Sequence, residues 1–96
     1  MYVTGTLVDG VWRRSVTNIG VRPTFGTGQE PSLETFVINW SGDLYGDVLR
    51  IRFLYRLRDE KRFASIDELR SQIKRDVARA ESYFQRGGTR HMLSLI

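Results

Sequence analysis

The stretch "VLRIRFLYRLRDEKRFASIDELRSQIKRDVARAESYF", Val48 to Phe84, contains both periodicities from which the fold is read. Its first ten residues alternate. Leu49, Ile51, Phe53, Tyr55 and Leu57 fall on one side of an extended chain, and Arg50, Arg52 and Arg56 on the other. That pattern predicts a strand. After "RDEKRFA" the period changes. Ser65 with Glu68 three positions on forms a capping box, and Ile66, Leu69, Ile73, Val77, Ala80 and Phe84 follow at spacings of three and four. One apolar stripe on a helix of about five or six turns is the expectation, over about residues 65–86, with the stripe as core packing. Gly87-Gly88 ends it.

Working back toward the N-terminus, "YVTGTLVDG" (Tyr2–Gly10) is rich in strand formers and closes on Asp-Gly, a turn signal. "VWRRSVTNIG" (Val11–Gly20) resumes as the second strand of a hairpin. "VRPTFGTGQEPS" carries two prolines and two glycines and reads as a loop. "LETFVINW" (Leu33–Trp40) is the third strand, "SGDLYGD" a turn, and Val48–Leu57 the fourth. Four strands over about residues 2–57 and a helix at the end predict an antiparallel sheet or partial barrel with a helix packed on it. This is a mainly β or α+β domain and not a βαβ unit. The tail, residues 87–96, is unpatterned and is either a docking segment or an expression-derived extension.

Ninety-six residues allow one domain with a modest core. No apolar run approaches the roughly 18 residues of a spanning helix, and no secretory signal is visible. The absence of cysteine excludes disulfides and thiolate metal sites and fits the cytoplasm. A net charge of +4 favours anionic partners in general.

Glu34 stands out among the residues able to carry chemistry. Regular alternation places it beside Phe36, Ile38 and Trp40, where an apolar surround would raise its pKa and suit it to general-base work. If the other face, with Leu33, Thr35 and Val37, is the inward one, Glu34 is simply solvated. Asn18, Arg22 and Thr24 line a loop stiffened by Pro23 that either wraps a ligand or connects two strands. The arginines of the fourth strand point away from Phe53 and Tyr55, which favours a solvated charged face over a nucleic-acid platform. His91 has no second ligand at metal spacing, so no metal site is expected. Neither a dinucleotide fingerprint nor a Walker A sequence occurs.

Four ordered blocks, "NIGVRPTF", "LE" opening a strand, "DLYG" and "LRDEKRF", followed by "SIDELRSQIKRDVARAESYF", resemble the riboflavin kinase domain. In bacteria that domain is the C-terminal part of a bifunctional riboflavin kinase/FAD synthetase. The resemblance spans about Tyr2 to Phe84. It implies a six-stranded antiparallel barrel, about four strands of it here, with a C-terminal helix. It also implies transfer of the ATP γ-phosphate to the riboflavin 5′-hydroxyl, giving FMN. Glu34 resembles the family's catalytic base. "LRDEKRF" resembles a mobile flap beside the flavin, with Arg58 near the ligand. Asp59 stands where the family more often has proline, which would leave the flap less rigid. Asn18, Arg22 and Thr24 would be polar members of a second ligand-facing loop, and "LRSQIKRDVARA" the helix flanking the flavin.

One departure bears on function. The family's domain opens with a segment ending in Pro-Thr-Ala-Asn, which holds Mg²⁺ and ATP, and these 96 residues do not contain it. The expectation is a truncated domain, inactive alone, whose partners are riboflavin or FMN, the missing part of the domain and an FMN adenylyltransferase domain. Unpaired strand edges would favour a homo-oligomer. A flavin-binding or structural fragment without catalysis is the first alternative, and a small basic sheet binding nucleic acid the second. No membrane contact is expected.

Overall fold

The computed structural model describes residues 1–24, 28–44 and 46–88. Four strands, β1 (Tyr2–Val8), β2 (Val11–Thr24), β3 (Gly28–Val37) and β4 (Arg50–Arg56), form one open antiparallel sheet in the order β3-β2-β1-β4. A helix, α1 (Ile66–Tyr83), follows, with a terminal turn over Phe84–Gly88 whose backbone leaves the helical region at Arg86 and Gly87. The fold is therefore mainly β with a C-terminal helix. No helix among the described residues is long and apolar enough to cross a membrane.

Local chemistry sets the two ends of the pattern. Asp9 and Gly10 both have positive φ, 50° and 78°, the backbone that lets a two-residue turn follow the twist of the strands it joins. Ser65 caps α1. Its hydroxyl accepts from the Glu68 amide at 3.2 Å, while the Glu68 carboxylate accepts from the Ala64 amide at 3.0 Å.

Two expectations change. Val21–Thr24 and Gly28–Ser32 are not loop: β2 and β3 continue through them as paired strands in which Pro23 faces Gln29 and Pro31 faces Val21. Prolines are tolerated because β1 pairs with β2 only up to Thr17, so residues 18–24 lie beyond the shared part of the sheet and need only one neighbour. The third strand correspondingly ends at Val37, three residues short of Trp40. Alternation also breaks in β4. Val3 pairs with Tyr55 but Thr4 pairs with Phe53, leaving Leu54 as the extra residue of a bulge. Phe53 therefore meets Tyr2 edge-on at 5.3 Å, whereas Tyr55 stacks on Tyr83 at 5.6 Å. The single apolar face read from Leu49 to Leu57 is split in two.

The core lies between the sheet and the C-terminal half of α1. Val3, Val16, Ile38, Leu57, Ala80 and Phe84 are buried together, with Trp12, Leu54, Val77 and Tyr83 packed around them. Burying each large apolar side chain contributes about 1.5–3 kcal/mol. The helix stripe is core only in this half. Ile66 and Leu69 remain exposed, so the first turns of α1 leave a gap against the sheet.

Alternate residues of the same strands carry small hydroxyls. Thr4, Thr6, Ser15 and Thr17 are fully buried. Their oxygens link in sequence: Thr6 to Ser15 at 2.8 Å, Ser15 to Thr4 at 2.7 Å, Thr4 to Thr17 at 2.8 Å, and Thr17 to Thr35 at 2.9 Å. A hydroxyl both donates and accepts, so such a chain satisfies itself without water.

Candidate functional site

Where the first turns of α1 stand away from the sheet, a cleft of about 170 Å³ opens. Three elements build it. The sheet wall carries Val16, Asn18, Glu34, Thr35 and Phe36, from β2 and β3. The segment between β4 and α1, Leu57–Ala64, supplies Arg58, Lys61 and Phe63 as the second wall. Leu69 and Ile73 of α1 form the floor, with Met1 beside them. The lining is mostly apolar with a few polar groups, as small-molecule sites tend to be. The volume falls below the roughly 300 Å³ at the lower end of such sites, so the cleft grips part of a ligand and leaves the rest outside.

Glu34 and Asn18 are register partners across β2 and β3, and both reach the cleft. Glu34 is exposed, as is Phe36 beside it. Glu34 and Phe36 thus share a face as predicted, but it is open to solvent; Ile38 enters the core, and Trp40 lies past the end of the strand, beyond the left-handed backbone of Asn39. Asn18 has a buried side-chain oxygen that accepts no hydrogen bond. An unpaired buried acceptor costs about 1–3 kcal/mol, a cost that a ligand hydroxyl or N–H could remove.

Arg58, predicted beside a ligand, does line the cleft, but its guanidinium is engaged with α1. Nε donates to Asp76 Oδ1 at 2.8 Å and Nη2 to Asp76 Oδ2 at 2.7 Å, while Nη1 donates to the Asp59 carbonyl at 2.9 Å. Two of its five N–H groups are left over. Asp76 is fully buried and also accepts from Gln72 Nε2 at 3.0 Å. Burial pushes its carboxyl up, but the hydrogen bonds from Arg58 and Gln72 and the Arg58 charge outweigh this and hold it below the ordinary carboxylate range.

The structure therefore brings Asn18, Glu34 and Arg58 to one cleft. The side chains of Arg22 and Thr24 lie outside the described residues, as does His91. Lys61, Phe63 and Asp76 were missed. Lys61 and Phe63 sit in the quoted "LRDEKRF" block. Asp76 stands four residues after Gln72 and eight after Glu68, a polar row beside the apolar stripe that could have drawn attention. Among the described residues no group of three or more His, Asp or Glu side chains could hold a metal ion.

The family model described as riboflavin kinase, or flavokinase, matches residues 1–84. Similar curated proteins include an RNA-binding riboflavin kinase, RibR, of Bacillus subtilis (strain 168), 39% identical over 81% of this chain and 34% of that protein. A bifunctional riboflavin kinase/FMN adenylyltransferase of Pseudomonas fluorescens is 39% identical over 85% of this chain and 26% of its own length. Its counterpart in Escherichia coli (strain K12) is 42% identical over 72% of this chain and 22% of its own length. The chain thus spans about a third or less of the curated relatives it matches. A crystal structure described as a macrolide-efflux protein from Streptococcus pneumoniae superposes with a TM-score of 0.75 at 26% identity, covering 83% of this chain and 26% of that one.

Proposed function

The chain belongs to the riboflavin kinase family, and from that premise we propose that its cleft is the flavin side of a riboflavin kinase site, with Glu34 as the general base. The observation that carries this reading is the cleft itself. Glu34 and Asn18 sit side by side on the sheet wall of a largely apolar recess that Phe36 and Phe63 also line. A planar, largely apolar ring fits between aromatic and aliphatic walls. The recess holds only part of riboflavin, so the ribityl chain would run out past Glu34.

In the proposed reaction the Glu34 carboxylate takes the proton of the ribityl 5′-hydroxyl. That oxygen forms a bond to the γ-phosphorus of ATP, the bond from γ-phosphorus to the bridging oxygen breaks, and ADP leaves. Asn18 would accept from a ribityl hydroxyl or ring N–H, and the two spare N–H groups of Arg58 could donate to the ligand. Arg22 and Thr24, near the tip of the β2–β3 hairpin, remain proposed ligand contacts on the strength of the resemblance alone. Mg²⁺ would neutralise the phosphates. The described residues do not fit it, so no step is derived through it. These 96 residues alone would therefore bind flavin without turning it over. A Pro-Thr-Ala-Asn segment and, as in the bifunctional relatives, an adenylyltransferase domain are the proposed partners.

Quenching of riboflavin fluorescence by the chain tests the binding half, and a titration without quenching would sink it. In a protein carrying the nucleotide segment as well, Glu34→Gln should lower kcat by about 10²- to 10⁴-fold with little change in flavin affinity. The lower end is expected if proton removal is late in a loose transition state. Retention of more than about half the activity would remove Glu34 as the base and favour flavin binding without this chemistry.

The RNA-binding label of one relative gains no support here. Arg52 lies over the Trp12 ring at 5.0 Å and Tyr55 stacks on Tyr83, so these aromatic faces are engaged within the chain.

A further inference from the structure

The segment Leu57–Ala64, the second wall of the cleft, forms a strap fastened to α1 by a row of side chains. Arg79 Nη1 donates to the Leu57 carbonyl at 3.1 Å, and Arg58 pairs with Asp76. Lys61 Nζ donates to Gln72 Oε1 at 3.4 Å, and the Ala64 amide donates to Glu68 Oε2 at 3.0 Å. The helix positions, 68, 72, 76 and 79, are spaced by four, four and three residues and so share one face. Their order is reversed relative to the strap: residue 57 meets 79, 58 meets 76, 61 meets 72 and 64 meets 68. Strap and helix close like a zipper with four rungs.

The rungs are unequal. Lys61, Glu68 and Arg79 are exposed, and exposed polar contacts contribute little. Asp76 is fully buried, and the Arg58 side chain is 11% exposed. Their contact is a two-pronged fork, and removing one partner from a buried pair leaves the other uncompensated. The same strap provides Arg58, Lys61 and Phe63 to the cleft, whereas Asp76 does not line it.

We propose that Asp76 is a positioning residue for this cleft: by gripping Arg58 it fixes the strap where Phe63 and Lys61 can close on a flavin, and so sets flavin affinity without touching the ligand. The proposal rests on the flavin reading given above, and the two can fail separately. A merely structural Asp76 would change the fraction of folded chain but not the affinity of the folded molecules.

The test uses the full chain and its Asp76→Asn and Asp76→Glu variants, held at a temperature where circular dichroism reports each as folded. Riboflavin is titrated by fluorescence quenching. In parallel, trypsin cleavage after Arg58, Lys61 and Arg62 is followed by mass spectrometry without ligand. For Asp76→Asn the riboflavin Kd should rise at least tenfold and cleavage in the strap should quicken at least tenfold. Asp76→Glu keeps the charge, shifts it by one methylene and should fall between. Should Asp76→Asn fail to fold, Asp76→Glu decides the matter on the same two readings. A folded variant with wild-type Kd, or one whose strap is cut no faster than wild type, overturns the proposal. Wild-type chain that does not quench riboflavin overturns the flavin reading, and with it the effect on affinity. The cleavage rates then decide whether Asp76 holds the strap.

Discussion

On the sheet side of the cleft, Thr6, Ser15, Thr4, Thr17 and Thr35 pass hydrogen bonds from strand to strand and end at the cleft wall beside Glu34. On the strap side, Arg58 and Asp76 fasten the wall through a charged fork with a chain separation of 18 residues. Both regions bury polar atoms, and each meets the cost differently. Short hydroxyls on paired strands are aligned by the backbone and lose little side-chain entropy. A long arginine must be ordered, and its charge must be taken from water, before the pair gains anything. The ladder is thus a passive consequence of pairing, while the fork is a costly contact whose position matters.

The sharpest way to break this comparison is to remove one partner of the fork. Asp76→Ala leaves a buried guanidinium without its acceptor, and a loss of about 3–5 kcal/mol in denaturant unfolding is expected. Acid makes the same test without mutation. The folded Asp76 carboxyl titrates below its ordinary value, so its stabilisation is complete above the unfolded pKa, near 4, and is lost as pH falls through the lower folded value. In melting curves the stability difference between wild type and Asp76→Asn should therefore be constant from about pH 7 to 5 and shrink as pH falls below about 4. A difference that stays constant throughout would mean the charge is not what holds the strap.

Thr17→Val probes the ladder at the link nearest the cleft wall, where one hydroxyl bonds both Thr4 and Thr35. A loss of about 1–3 kcal/mol is expected from the unsatisfied partners. It should be the same at pH 7 and pH 4, since no hydroxyl titrates there. A pH-dependent loss would blur the distinction between the two regions. The smallest effect belongs to neither wall. Ser65→Ala removes the helix cap and should cost about 1 kcal/mol in thermal or denaturant unfolding.

How much was legible follows the range of each interaction. The Asp9-Gly10 turn, the Ser65 cap and the helix end near Gly87 were readable because a few neighbouring residues fix them. The continuation of β2 and β3 past Gly20 was hidden by Pro23 and Pro31, whose local signal says loop. Only the end of the β1–β2 pairing, where Tyr2 meets Thr17, reveals that these prolines lie where a single neighbour suffices. Gly20 has a similar logic. A Cβ there would meet a Glu60 oxygen at 2.9 Å, a closeness of strap and hairpin that no spacing announces.

What the sequence determined by itself was the set of elements, their type and the family blocks that mark Glu34, Asn18 and Arg58, because periodicity, caps and motifs are properties of neighbours along the chain. Tertiary structure decided the rest: the bulge at Leu54 that sends Phe53 and Tyr55 to different faces, the cleft left by the first turns of α1, and the commitment of Arg58 to Asp76. Each depends on register or on partners far apart in sequence. A one-residue slip between strands reverses which side chains face the core, and a buried charge goes to whichever partner the packing brings within reach.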